Sequence, residues 1–138
     1  MPVKEKGPRL QWFKGSSKML KNFKDLKVWQ KSYELSLKIY RLTKHFPSEE
    51  KYGLTSQIRR AAVSVTSNIA EGYGRKTKSE YIQFLYIAYG SNCELETQML
   101  LSGDLGYIKS EDIKQLQDEI SEVERMLMAL IKSLEDKT

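Results

Sequence analysis

From Asp25 onward, apolar residues recur every three or four positions, the period of an amphipathic helix. In the first segment Leu26, Trp29, Tyr33, Leu37 and Tyr40 form one stripe, and Val28, Leu35, Ile39 and Leu42 a second beside it. Lys27, Lys31, Lys38 and Lys44 fill the polar arc. Phe46-Pro47-Ser48 ends this helix, because the residue before a proline is pushed out of the α region. Ser48 is read as the cap of a turn through Glu49 and Glu50 into a second helix. Its apolar positions are Leu54, Ile58, Ala61, Ala62, Val65 and Ile69, and Gly72 and Gly74 mark its end near Tyr73.

Thr77 or Ser79 opens a third helix with Glu80 in its first turn, continuing through Leu95, Met99 and Leu100 to a loop at Gly103 and Gly106. Ser110 is read as the N-cap of a fourth, with Glu111 and Asp112 in the first turn. Ile113, Leu116, Ile120, Val123, Leu127, Leu130 and Leu134 then alternate steps of three and four, a narrow bundle seam with an acidic opposite face. No segment alternates as a strand with hairpin signals. The expectation is an all-α domain over residues 23–138, an antiparallel up-down-up-down four-helix bundle. Residues 1–22 have no apolar period; lysines and Arg9 are interleaved with Pro2, Gly7, Pro8 and Gly15, as in a flexible basic arm.

The third helix departs from the pattern. Eight of the nine residues from Tyr81 to Tyr89 are apolar or aromatic, leaving no polar arc. Such a helix needs cover on both sides, and a four-helix bundle covers one. Tyr81, Ile82, Tyr86 and Tyr89 are therefore candidates for an interface in a homo-oligomer, with Gly90 allowing a close helix contact.

Charge sharpens this picture. The chain of 138 residues carries a formal net charge of +5, but residues 1–78 are basic and residues 79–138 acidic. Residues 79–108 hold four acids and no base. Such asymmetry serves either a polyanionic partner or complementary faces meeting in an assembly. Lys27, Lys31, Lys38, Arg41 and Lys44 on the first helix, and Arg75, Lys76 and Lys78 after the second, are the candidate nucleic-acid contacts. An oligomer would repeat such weak phosphate contacts and make them add. The alternative is a protein-interaction or assembly scaffold whose asymmetry serves oligomerisation.

Candidate chemistry is sparse. Gln57, Arg60, Ser64, Asn68 and Glu71 share one face of the second helix, with Arg59 beside them and Glu94 on the third helix as a partner. They read as a polar network fixing helix register, with Arg59 or Arg60 paired to Glu94. Carboxylate-metal sites in bundles want Glu-x-x-His repeats, and His45 is the only histidine, so neither a metal nor a cofactor is expected and the chain is read as non-enzymatic. Cys93, the only cysteine, reads as a core residue. It can close no disulfide within the chain, which fits a reducing, cytoplasmic setting, and no apolar run is long enough for a membrane.

Four segments carry a family resemblance: Phe23-Lys-Asp-Leu-Lys-Val-Trp-Gln-Lys-Ser32, Tyr52-Gly-Leu-Thr-Ser-Gln-Ile-Arg-Arg-Ala-Ala62, Ser64-Val-Thr-Ser-Asn-Ile-Ala-Glu-Gly72, and Gly90-Ser through Glu94-Leu-Glu-Thr97. In this order and spacing the chain resembles, over about residues 22–134, the bacterial bundle family named for 23S rRNA intervening sequences. Thr66 stands where many members carry proline, which should straighten the second helix. The resemblance implies a four-helix bundle assembling into a homopentameric ring, and relatives thought to bind nucleic acid through a basic surface. It supplies no catalytic motif.

Overall fold

The structure, a computed structural model, describes residues 11–12, 19–20 and 22–136. Two short strands, β1 (Gln11–Trp12) and β2 (Met19–Leu20), pair antiparallel in the segment expected to lack regular structure. The rest of the basic arm lies outside the described residues. A single 3-10 turn, Phe23–Asp25, follows, fixed by a reciprocal cap: the Asn22 side chain accepts from the Lys24 amide, and the Asp25 carboxylate from the Asn22 amide. Four helices follow: α1 (Lys27–Thr43), α2 (Leu54–Tyr73), α3 (Lys78–Asp104) and α4 (Ser110–Glu135).

Cross-helix pairs run in opposite chain order at every seam. Ser32 and Thr66, then Thr43 and Arg59, bond α1 to α2. The Gly72–Phe84 approach and the Ser64–Ser91 bond join α2 to α3; Tyr86–Glu135 and Asn92–Ile120 join α3 to α4. Lys31–Glu122 and Lys38–Glu119 close α4 back onto α1. Neighbours are thus antiparallel around the bundle. Thr66 also bonds across the α1–α2 seam: its hydroxyl donates to Ser32 Oγ at 3.1 Å and lies 3.4 Å from Ser36 Oγ.

The core takes about one apolar residue per turn from each helix. All six apolar positions read in the second helix are buried, and so are Leu116, Ile120, Val123 and Leu127 of α4. Ile131 completes that seam, while Leu130 and Leu134 are half-buried. In α1 the outcome is the reverse of what the leading stripe implies. Val28, Leu35 and Ile39 are core, together with Ser32 and Thr43, whereas Tyr33, Leu37 and Tyr40 face out.

Several local expectations also give way. Ser48 is the first residue of a second 3-10 turn, Ser48–Glu50, whose cap position is Pro47, and Glu50 leads the chain into α2, its carboxylate accepting the Leu54 amide at 3.0 Å. Lys109, not Ser110, is the N-cap residue of α4. Thr77 caps α3 as read, its hydroxyl accepting from the Glu80 amide at 3.1 Å. Within the chain no helix packs closely on Gly90, where a Cβ would meet nothing within 4 Å. The close approaches are at Gly72, where a Cβ would lie 2.8 Å from Phe84 Cβ, and at Gly103, against Ile113. Gly106 turns the chain out of α3 with φ +80°, the left-handed region that a side chain resists.

Candidate functional site

The eight candidate cations do not form one surface. Lys31 and Lys38 lie against α4, with Lys31 Nζ 3.5 Å from Glu122 and Lys38 Nζ donating to both Glu119 oxygens at 3.0 and 3.1 Å. Together with Glu34 and Arg41 they rim a cleft of about 270 Å³ between α1 and α4, floored by Leu35 and Val123. Its three bases face three acids, so the cleft has no charge preference. Lys27 and Lys44 are exposed near the two ends of α1. Arg75 closes the far end of α2: its guanidinium lies 4.5 Å from the centre of the Phe84 ring and donates to Glu71 at 3.2 Å. Lys76 and Lys78 follow it, exposed, at the turn into α3.

The polar stripe of α2 is split by the geometry. Ser64 meets Ser91 of α3 at 2.8 Å, and Asn68 donates to Ser64 at its carbonyl and its hydroxyl, so these residues bridge α2 and α3. Arg59 turns the other way. Its Nε donates to Thr43 Oγ1 at 2.8 Å, Nη2 donates to the Tyr40 carbonyl at 3.2 Å, and the guanidinium stacks over Tyr40 at 4.6 Å. The cation thereby satisfies a carbonyl at the C-terminus of α1, where the helix dipole favours it. Neither Arg59 nor Arg60 pairs with Glu94; Glu94 accepts instead from Gln98 at 3.5 Å. Gln57 and Arg60 are exposed, and Arg60 makes no ion pair among the described residues.

The α3 candidates are also redistributed. Tyr81 is buried within the chain against Tyr73 in an edge-to-face contact. Ile82 and Tyr89 are half-buried towards the core. The phenol of Tyr89 donates to Glu124 at 3.3 Å and that of Tyr86 to Glu135 at 3.3 Å. The negative charge of Glu124 raises the Tyr89 pKa above its ordinary value; for Tyr86 desolvation is the larger cause and Glu135 the next. Cys93, read as core, is exposed. No group of His, Cys, Asp and Glu among the described residues is placed to hold a metal ion.

What remains on the outside is apolar. On the α1–α2 face Tyr33, Leu37, Tyr40 and Val63 are 39–46% exposed, with Trp29 stacked on Tyr33 at 5.0 Å. On the outer face of α3, Tyr86, Ile87, Leu100 and Leu101 are 45–50% exposed. Sequence reasoning missed the first patch because its members share the helical period of a core stripe. The available signal was chemical: Trp29, Tyr33 and Tyr40 all carry polar tips suited to a wet boundary.

A family model described as 23S rRNA-intervening sequence protein matches residues 24–129, which takes in α1, α2, α3 and most of α4. The chain belongs to that family. A crystal structure of a protein of unknown function from the S23 ribosomal protein family, from Bacteroides thetaiotaomicron VPI-5482, is similar at 28% identity. The match covers 76% of this chain and 95% of that one, with a TM-score of 0.71. Among curated proteins nothing matches. The family match therefore places the bundle among intervening-sequence proteins and ends, like the rRNA insertion in its name, short of a biochemical activity. Among the described residues, no helix is long and apolar enough to cross a membrane.

Proposed function

We propose that this chain is a non-enzymatic module that works by assembling with copies of itself, the homopentameric ring implied by the family resemblance being the expected state. The observation that carries this reading is the apolar surface left outside a filled core, on α1–α2 and again on α3. Exposing eight large apolar side chains in two groups is costly for a chain that stays alone in water. Light scattering at micromolar concentration tests it: the expected mass is a multiple of the 16.0 kDa chain, and a monomer rejects the reading.

A second reading, binding of RNA or another nucleic acid, is favoured by the compact Arg75, Lys76 and Lys78 group at one bundle end. It loses support along α1, where Lys31 and Lys38 already face Glu122 and Glu119. Contacts of this kind hold phosphate without reading bases, so affinity for a structured RNA should fall steeply with salt. Filter binding across a salt series checks it, and binding that ignores salt removes it.

A further inference from the structure

Residues 1–21 and the outer face of α3 are complementary in charge and in composition. The arm holds six Lys/Arg, one Glu and the apolar cluster Leu10, Trp12 and Phe13. Residues 79–108 hold four acids, Glu80, Glu94, Glu96 and Asp104, and no Lys or Arg. Glu94, Glu96 and Asp104 make no ion pair among the described residues. Tyr86, Gly90, Cys93, Thr97, Leu100 and Asp104 follow steps of four, three, four, three and four, so they form one exposed seam along α3, opposite its core face. Ile87 and Leu101 flank it, half exposed, and Gly90 leaves a flat place in it, since a Cβ there would meet nothing within 4 Å.

The other surfaces fit the arm less well. The aromatic patch on α1 and α2 is bordered by Arg41, Lys44, Arg59 and Arg60 and repels a basic segment. The fourth helix is acidic too, but Lys114, Arg125 and Lys132 are interspersed along it. Its Glu119 and Glu122 already face Lys38 and Lys31, and Met128 is its one exposed large apolar side chain. Position and length agree with charge. The arm joins the bundle at Asn22, before α1, and the Ser32–Thr66 and Gly72–Phe84 pairs put the start of α1, the end of α2 and the start of α3 at this same end. The β1–β2 pairing sets Trp12 beside Met19, three residues before Asn22, and so keeps the aromatic cluster near that end. The residues before β1 extend to about 35 Å, whereas α3 rises only about 26 Å from Ile87 to Asp104.

We propose that the basic arm lies along the outer face of α3 in its own chain, with Trp12 and Phe13 against Tyr86 and Ile87, and Arg9, Lys6 and Lys4 running on beside Glu94 and Asp104. The apolar contact removes surface from water, and the bases give the α3 acids the partners that the bundle does not. An arm seated there masks the α3 part of the exposed apolar surface and leaves the α1–α2 part bare. Anything that takes hold of the arm then uncovers α3. This goes beyond the self-assembly reading and does not depend on it.

Cys93, the only cysteine, stands in the seam and serves as the probe. A short maleimide–succinimide linker attached to it should join the arm lysines Lys4, Lys6 and Lys14, read by peptide mass spectrometry of the full-length chain. With Cys93→Ser and Leu37→Cys, which move the linker to the α1–α2 face, the yield of these links should fall several-fold. Salt at about 1 M, where the screening length is about 3 Å, should lower the Cys93 yield in the same way, as should Glu94→Gln combined with Asp104→Asn. Helical circular dichroism verifies each variant. Val63→Cys replaces Leu37→Cys should that one lose its signal, and the salt series serves without the neutralised pair. Refolding a one-to-one mixture of isotopically heavy and light chains tells own chain from neighbour, and links confined to one isotope support the proposal. Links of mixed isotope as abundant as the others, equal yields from the two faces, or yields that ignore both salt and neutralisation overturn it. Failure of these links leaves assembly standing, and a monomer by light scattering, which rejects assembly, leaves the seat of the arm standing.

Discussion

Glu50 ties three parts of the chain together at one end of the bundle. Its carboxylate accepts the Leu54 amide, which starts α2, and the Tyr107 hydroxyl at 2.9 Å from the loop before α4. Tyr107 in turn packs on Phe46, 5.4 Å between ring centres, at the end of α1. The backbone bond from Leu54, and then the one from Tyr107, holds the Glu50 pKa below its ordinary value. A depressed folded pKa contributes stability that is present above the unfolded value and lost as pH falls through the folded one. Tyr107 has the opposite sign: its bond to Glu50 is the largest cause of a raised pKa, so its contribution is present below the ordinary phenol range and lost as pH rises through the folded value. Urea titrations at several pH values should therefore show Glu50→Gln with a shallower acid limb and Tyr107→Phe with a shallower alkaline limb. Unchanged limbs in both would show that this triad is not coupled to folding. Two of the helix glycines, Gly72 and Gly90, make a second contrast. Gly72→Ala forces a methyl to 2.8 Å from Phe84 Cβ and 3.2 Å from the Tyr81 carbonyl, and should cost about 1–3 kcal/mol in chemical denaturation. Gly90→Ala meets nothing within 4 Å and should instead gain up to about 1 kcal/mol from helix propensity alone.

At the level of helices, the seams differ in how they are held. The α2–α3 pair is closed by backbone approach at Gly72 and by the Asn68–Ser64–Ser91 bonds, whereas α1 and α4 meet across the 270 Å³ cleft through part-exposed ion pairs. Pairs of that kind are worth roughly 0–1 kcal/mol, so this seam should open first. Native-state hydrogen exchange should find the α2 and α3 amides the most protected and those of α1 the least; equal protection in α1 would refute this ranking. The period of apolar residues made all four helices legible, because a buried face must repeat with the helix turn whatever the side chains are. It did not tell which of two such faces in α1 is buried. Val28, Leu35 and Ile39 with Ser32 and Thr43 make a stripe interrupted by hydroxyls, and Tyr33, Leu37 and Tyr40 make an unbroken one. The interrupted stripe goes inside because its hydroxyls bond within α1 and to α2: Ser32 donates to the Trp29 carbonyl, and Thr43 donates to Ile39 and accepts from Arg59. Spacing carries no information about such bonds. For the same reason Arg59 was paired with Glu94 on charge alone, although a helix C-terminus was within its reach on the other side.

Along the whole sequence the net positive charge belongs to the residues before the bundle. Residues 1–21 hold six Lys/Arg and one Asp/Glu, so they carry the entire net +5, and residues 22–138 sum to zero. Within the bundle, Lys31, Lys38 and Arg75 are each matched by a carboxylate at 3.5 Å or less. A chain lacking residues 1–21 should therefore elute from a cation exchanger far earlier at pH 7, with an isoelectric point near neutrality. The same truncation separates two origins for any nucleic-acid binding. Each phosphate neutralised contributes about −0.7 to −0.9 to the slope of log affinity against log salt. If the arm supplies the contacts, the truncated chain should lose most of that slope and at least about tenfold in affinity at low salt. If Arg75, Lys76 and Lys78 supply them, slope and affinity survive truncation and fall when these three are changed to Gln. On the proposed self-assembly, a neutral bundle has few basic contacts per copy but many per assembly, so the second outcome should hold only above the concentration at which copies associate. Binding by an assembly-blocked variant as tight as by the parent would contradict that dependence and assign the phosphate contacts to a single chain.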